Sequence, residues 1–435
     1  MDNTTSSPSA PPAIQSGEYT ARRNQLAGTL PPEGVALIPG GTLPAGTVLF
    51  RQDNEIQYLC GIEEPHIYLL IETDGTSTLY LPHRTRGEGL VGDPAAMTRI
   101  SGIDRFEPLA ALEQRMAQEQ LVLLPLQGEE GAKISRDTFQ AWERAVSNDP
   151  FDGRLSRNKQ IRGQLQSRHS QLVLEDLSPL LDELRLIKSP AELAFMRKAG
   201  ELTGLAALAA MRATRPGCFE YNLQAELEHT YLSGGARGAA YAPIIPGSSR
   251  AGDAHYLANN CRLDDGDIVL VDCAPDYHYY TSDIGRMWPV NGVFDEAQRS
   301  LYSFVLAYHK VVLSLIRPGA LRAELHQQAA DTMRPLFDKW EFPNIAVKDT
   351  AACLFEFPGH ISHGVGMAVH DVSQHYDRPF APGMVFAVDP MAWGHQHQMF
   401  YRVEDTVVVT EDGYENLTAS CPIEIADIER TMASS

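Results

Sequence analysis

The chain has 435 residues, 43% of them hydrophobic and 21% charged, which is long enough and apolar enough for more than one core. Its 36 Lys and Arg stand against 56 Asp and Glu, a net charge of −20. That balance excludes general nucleic-acid binding, which needs clustered cations to neutralise phosphates. No apolar run approaches the roughly 18 residues of a membrane span, so no membrane partner is expected.

The opening MDNTTSSPSAPPAIQ lacks both a basic start and an apolar stretch, and so does not read as a secretory signal. Its Ser, Thr and Pro content predicts a disordered lead-in over residues 1–15, and the expected location is cytoplasmic. Six cysteines (Cys60, Cys218, Cys261, Cys273, Cys353 and Cys421) form no CxxC pair and are expected to be free thiols.

Residues 16–172 read as a mixed α/β domain. GVALIPGG and STLYLPHR are bounded by Gly and Pro and predict buried strands, and LEQRMAQEQL predicts a short helix. The polar stretch from Asn158 to His169 marks the approach to a domain boundary, with a second domain expected over 173–435. In IKSPAELAFMRKAGEL, Ser189 suits a helix N-cap, Pro190 the first helical position and Glu192 the closing residue of a capping box. Further helices are predicted near 221–233, 295–316 and 319–338. Strands are predicted in DIVLVDCA, YHYYTSD, MVFAVD and FYRVEDTVVVT. Without regular βα alternation, this pattern is α+β.

The second domain also carries the chemistry. In VDCAPDYHYYTSDIGR a turn near Pro275 and Asp276 would bring Asp272 toward Asp283. Two carboxylates so placed repel unless a cation lies between them, and oxygen ligands suit a divalent metal. Taken alone, the pair is equally consistent with an Asp capping a turn. GHISHGVGMAVHDV presents His360, His363 and His370 among glycines, which let the backbone approach a ligand. A single histidine there would more often be structural. MVFAVDP runs an apolar strand into Asp389, and FYRVEDTVVVT places Glu404 inside a β-branched strand. An inward carboxylate there is costly unless paired or metal-bound. Arg402, two residues earlier on the same strand face, could hold Glu404 by a charge-assisted hydrogen bond; a purely structural Arg–Glu pair is the alternative.

The order Asp, Asp, His, acidic residue, Glu resembles the pita-bread metallopeptidases, which include methionine aminopeptidase, prolidase and aminopeptidase P. The likeness runs from IKSPAEL to ENLTAS at 415–420. FRQDNEIQYLCGIEEP at 50–65 is similar to the aminopeptidase P segment in which RQ leads into a Gly and an acidic-Pro turn. The resemblance implies an N-terminal creatinase-like mixed α/β domain followed by a C-terminal pita-bread (creatinase/aminopeptidase) catalytic domain. It implies two divalent ions, manganese before zinc, iron or cobalt, held by Asp272, Asp283, His363, Asp389 and Glu404. It places His255, His360 and His370 beside the substrate, Arg402 behind the ligands, and Asp389 in the catalytic set. The implied reaction is release of the residue preceding proline from a peptide with proline second, by a metal-bridging hydroxide, in a homodimer or homotetramer. A prolidase or another C–N hydrolase on the same fold is the alternative, and a catalytically silent binding protein a further one. The last arises because Asp389 stands where the family has glutamate, a loss of reach of ~1.5 Å. The following Met391-Ala392-Trp393 also departs from the Gly-containing turn and aromatic residue of the resembled enzymes.

Overall fold

The computed structural model describes residues 13–43, 49–83, 92–126, 136–253, 255–372 and 378–434. Up to residue 12, the expected lead-in lies outside them. The chain divides into two compact units, one over Pro12–Leu186 and one from Ile187 onward.

In the first unit six strands form one sheet in the order β4-β3-β2-β1-β5-β6. They are β1 (Gly34–Pro39), β2 (Tyr68–Ile71), β3 (Ser77–Leu81), β4 (Arg105–Pro108), β5 (Leu121–Leu124) and β6 (Val173–Asp176). β2 runs antiparallel to β1 and β3, and the other pairings are parallel. Every residue of β1 is buried, so this central strand is covered on both faces and reads as a continuous apolar run. On one face Val35, Leu37, Leu70, Tyr80, Val122 and Leu124 form a core with Met116 and Leu174. The accompanying helices are α1 (Ser16–Ala27), α2 (Asn54–Cys60), α3 (Pro94–Ser101), α4 (Ala110–Met116), α5 (Arg136–Asn148), α6 (Arg157–Arg168) and α7 (Ser178–Leu186). The polar Gln- and Arg-rich stretch is thus helix α6, and the unit continues past it. Because β6 pairs in parallel with β5, residues 173–186 belong to the first unit, later than composition placed the division.

The second unit opens with α8 (Pro190–Ala213), capped as its sequence predicts: the Ser189 side chain accepts from Glu192 N, and Ser189 N donates to the Glu192 carboxylate. α9 (Glu220–Ser233), α10 (Glu296–Leu315), α11 (Arg322–Lys339), α12 (Ile345–Ala352) and α13 (Ile425–Ala433) follow. The strands are β7 (Ile268–Asp272), β8 (Gly285–Pro289), β9 (Ile361–Gly364), β10 (Val385–Val388), β11 (Met391–Gly394), β12 (Met399–Arg402), β13 (Asp405–Val409) and β14 (Tyr414–Asn416). They group as β14-β13-β10-β9, β11-β12 and β7-β8, with neighbours antiparallel.

Two expected strands are broken. YHYYTSD is irregular: Tyr277 and Tyr280 exchange backbone hydrogen bonds around His278 and Tyr279, whose φ angles are 51° and 73°. FYRVEDTVVVT splits into β12 and β13, which lie in different sheets, and Glu404 falls in the break, paired across to Gly285.

α8 lies close to the segment after β14, and its glycines permit this. A Cβ on Gly200 would fall 2.0 Å from the Leu417 carbonyl oxygen. Gly200→Ala is expected to destabilise the chain by about 1–3 kcal/mol through overpacking, read as a lower midpoint in urea unfolding with unchanged slope.

Candidate metal centre

Four carboxylates converge where strands end. Asp272 closes β7, Asp283 precedes β8, Asp389 follows β10, and Glu404 sits between β12 and β13. Backbone pairing sets them: Asp272 is in register with Gly285, Gly285 pairs with Glu404, and Asp389 N donates to His360 O at 2.8 Å. Asp283 N donates to Thr406 Oγ1 at 2.7 Å, which ties the loop before β8 to β13. All four are buried.

Arg402 reaches three of them. Nη1 donates to Asp272 Oδ2 at 2.7 Å, Nε and Nη2 donate to the two oxygens of Asp389 at 2.9 and 2.7 Å, and Nη2 donates to Glu404 Oε2 at 2.5 Å. The fourth, Asp283, has His363 Nε2 3.4 Å from Oδ2. His363 Nδ1 lies 3.2 Å from the Gly364 carbonyl, which directs Nε2 toward the carboxylates. Tyr241, which no sequence pattern singled out, places its hydroxyl 2.7 Å from Asp272 Oδ1 and 2.5 Å from Asp283 Oδ1. It arrives because residues 239–247 pair alongside β7, through Ile244 with Asp272 and Gly247 with Val269. The only available signal was that long-range pairing, which a linear sequence does not display.

Burial pushes Asp272 up to about 7, with Arg402 opposing and Asp283 adding to the rise. Glu404 is held well above the usual carboxylate range by burial and by Asp283, Asp389 and Asp272, against the pull of Arg402. Burial raises Asp389 as well, again opposed by Arg402. Asp283 is the exception: burial works to raise it, but the hydrogen bond and charge of His363, with Tyr241, bring it below its ordinary value.

The arrangement fits divalent cations. Four carboxylates face one guanidinium, leaving negative charge without a counterpart. Ligand atoms of Asp283, His363 and Glu404 lie within 4.8 Å of one another. Glu404 Oε1 is buried with no hydrogen-bond partner among the described residues. A phenol has one proton, so Tyr241 cannot donate to both aspartates at once. A cation drawing both carboxylates would resolve the conflict.

His370 and His255 extend the site. The His370 ring centroid lies 3.9 Å from that of His363, and His255 is 6.2 Å beyond His370. His360 corrects an expectation. It is 2% exposed, its Nε2 is 2.9 Å from Leu354 O, and its ring packs against Tyr308, His326 and Phe357. Burial drops it to about 3. His360 lies just before β9, and its ring turns into an aromatic core rather than toward the carboxylates.

Residues 194–411 match metallopeptidase family M24, and residues 19–121 match the aminopeptidase P N-terminal domain. The Xaa-Pro aminopeptidase of Escherichia coli is 32% identical over 97% of this chain and 98% of its own length. The chain belongs to metallopeptidase family M24. Among other M24 relatives, the mitochondrial intermediate cleaving peptidase 55 of Arabidopsis thaliana is 29% identical, covering 96% of this chain and 83% of the relative. The solved structure of aminopeptidase P from E. coli with the inhibitor Pro-Leu superposes with a TM-score of 0.78 at 30% identity, covering 97% of this chain and 99% of that one. The second unit therefore has the pita-bread fold of an M24 metallopeptidase, preceded by an aminopeptidase P-type N-terminal domain.

Two outcomes are expected of the metal centre. A metal must displace the proton from a carboxyl whose affinity for it is raised, so divalent-ion binding should weaken as pH falls through about 7, the value for Asp272, as read by calorimetric titration at several pH values. Asp389→Glu restores the missing methylene and should tighten divalent-ion binding by about tenfold, measured as metal retained per chain after gel filtration.

Proposed function

We propose that this chain is a dinuclear metallo-aminopeptidase that releases the residue preceding proline at a peptide N-terminus. The observation that carries the reading is the set Asp272, Asp283, His363, Asp389 and Glu404 gathered around one arginine, with Glu404 Oε1 unpartnered. These five residues would hold the two ions. Bound there, the ions would acidify a water and polarise the scissile carbonyl. Manganese suits four carboxylates and one imidazole better than zinc, for which more nitrogen ligands are usual.

The remaining roles follow from position. His370, stacked near His363, and His255 beyond it line the side where a peptide carbonyl would lie, and their ring N–H groups stabilise the developing oxyanion. Arg402 fixes the directions of Asp272, Asp389 and Glu404. Asp389 carries the proton toward the leaving nitrogen; burial raises its affinity for that proton, and the guanidinium on both its oxygens limits the rise. Assembly as a homodimer or homotetramer in the cytoplasm completes the proposal; among the described residues no helix is long and apolar enough to cross a membrane.

That same bidentate Arg402–Asp389 pair favours a second reading, a silent binding protein whose fifth ligand is spent on the arginine. Purified chain loaded with Mn²⁺ should release the first residue of an Xaa-Pro-Xaa tripeptide, and Asp272→Ala should reduce this at least about 1000-fold. Bound metal with turnover of only an Xaa-Pro dipeptide would indicate a prolidase. Bound metal with turnover of no peptide would favour the silent reading.

A further inference from the structure

The loop that carries His255 is gathered onto one buried carboxylate. Glu220, the first residue of α9, is 0% exposed. Its Oε1 accepts from Gly247 N and from Arg250 Nε, both at 3.0 Å. Its Oε2 accepts from the Tyr256 hydroxyl at 2.8 Å and from Cys261 N at 2.9 Å. Its own backbone N donates to Cys261 O at 3.0 Å. The four donors to the carboxylate come from the start, the first turn, the middle and the end of the segment 247–261.

Charge balance alone does not require this pattern, because Arg250 already supplies a cation. The other three donors are neutral groups spaced along one loop, and each fixes a different part of its path. Asn259 pins the same segment from the other side. Its Oδ1 accepts from Ile245 N at 3.0 Å, and its Nδ2 donates to Pro243 O at 2.7 Å. Between these anchors His255 holds a φ of 63°, a left-handed conformation that residues with a Cβ adopt rarely and only when their surroundings impose it. The same loop runs on from the 239–247 segment that delivers Tyr241 to Asp272 and Asp283.

We infer that Glu220 is a positioning residue: by clamping residues 247, 250, 256 and 261 it sets the placement of the His255 ring beside His370. The inference rests on the peptidase reading for its kinetic consequence but not for its structural one. Glutamine in place of Glu220 would present an amide N–H₂ to two of the four donors, so the clamp fails on one side while the volume is kept.

The test is a double-mutant cycle of Glu220→Gln and His255→Ala in the metal-loaded full chain, with an Xaa-Pro-Xaa peptide. Each single variant should lose about 10–100-fold in kcat/KM with metal content unchanged, and the double variant should be no worse than the poorer single. Near-wild-type kcat/KM in Glu220→Gln, or losses that multiply in the double variant, would overturn the inference. Should Glu220→Gln fail to fold, Tyr256→Phe removes a single donor and should show a smaller loss with the same non-additivity toward His255→Ala. Carbon-13 spectra of labelled histidines give a readout independent of turnover: the resonance missing in His255→Ala should move in Glu220→Gln. An unmoved resonance sinks the positioning role. A moved resonance in a protein that hydrolyses no peptide sinks the peptidase reading alone.

Discussion

Placing four carboxylates in one buried site is the constraint on which the catalytic unit depends. Each is costly to ionise away from water, and each makes its neighbours costlier. Arg402 makes the assembly feasible by donating to Asp272, Asp389 and Glu404, which come from three separate stretches of chain. Arg402, with His363 beside Asp283, still leaves the carboxylates outnumbering the positive groups. The geometry fits additional cations, and burial first, then the neighbouring carboxylates, displace Asp272, Asp389 and Glu404 upward.

The backbone gives way where the arginine passes. A Cβ on Gly285 would lie 2.8 Å from Arg402 Nε and 3.0 Å from Glu404 Oε2, so a larger residue would push the guanidinium from its partners. A second layer lies behind. Arg286 bonds to the Glu404 carbonyl and, at 2.5 Å, to Asp405 Oδ1, while His309 Nε2 lies 3.3 Å from Asp405 Oδ2. Because consecutive residues alternate in direction, Glu404 faces the site and Asp405 faces this layer. Burial lowers His309 to about 4, so it is neutral there, and Arg286 provides the charge that keeps Asp405 ionised. Two arginines, one before and one behind, thus fix the same short stretch of chain.

Much of this was legible in the sequence where the signal was local. The Ser189–Pro190–Glu192 cap depends on neighbouring residues, and it formed as read. Asp272 and Asp389 stood out as acids on apolar runs and Glu404 as an acid inside a β-branched one, and the structure brings all three onto Arg402. What stayed hidden depended on distant pairing. Tyr241 and Glu220 lie in segments without periodicity and acquire their partners only when residues 239–261 fold back beside β7 and α9. His360 misled because a Gly-rich context reads alike whether a ring turns inward or outward. The run through Glu404 read as one strand because composition does not register a change of sheet. The division between units went astray for a similar reason, since long-range contacts, the pairing of β6 with β5 and the Arg185–Glu55 ion pair among them, hold residues 173–186 in the first unit.

β13, which follows Glu404 directly, is also secured from its far side. Thr418 Oγ1 donates to Asp405 Oδ1 at 2.7 Å and accepts from Thr406 N at 3.1 Å, and the Leu417 carbonyl rests over Gly200 in α8. Residues from the first helix of the unit and from beyond Glu404 therefore meet beside the stretch that carries it. Because domains fold as units with the N-terminal one first during synthesis, the contacts that Leu417 and Thr418 supply are among the last of the chain to become available. A cut near residue 418 would loosen the support of Asp405 and Thr406 without touching Asp272, Asp283, His363, Asp389 or Glu404.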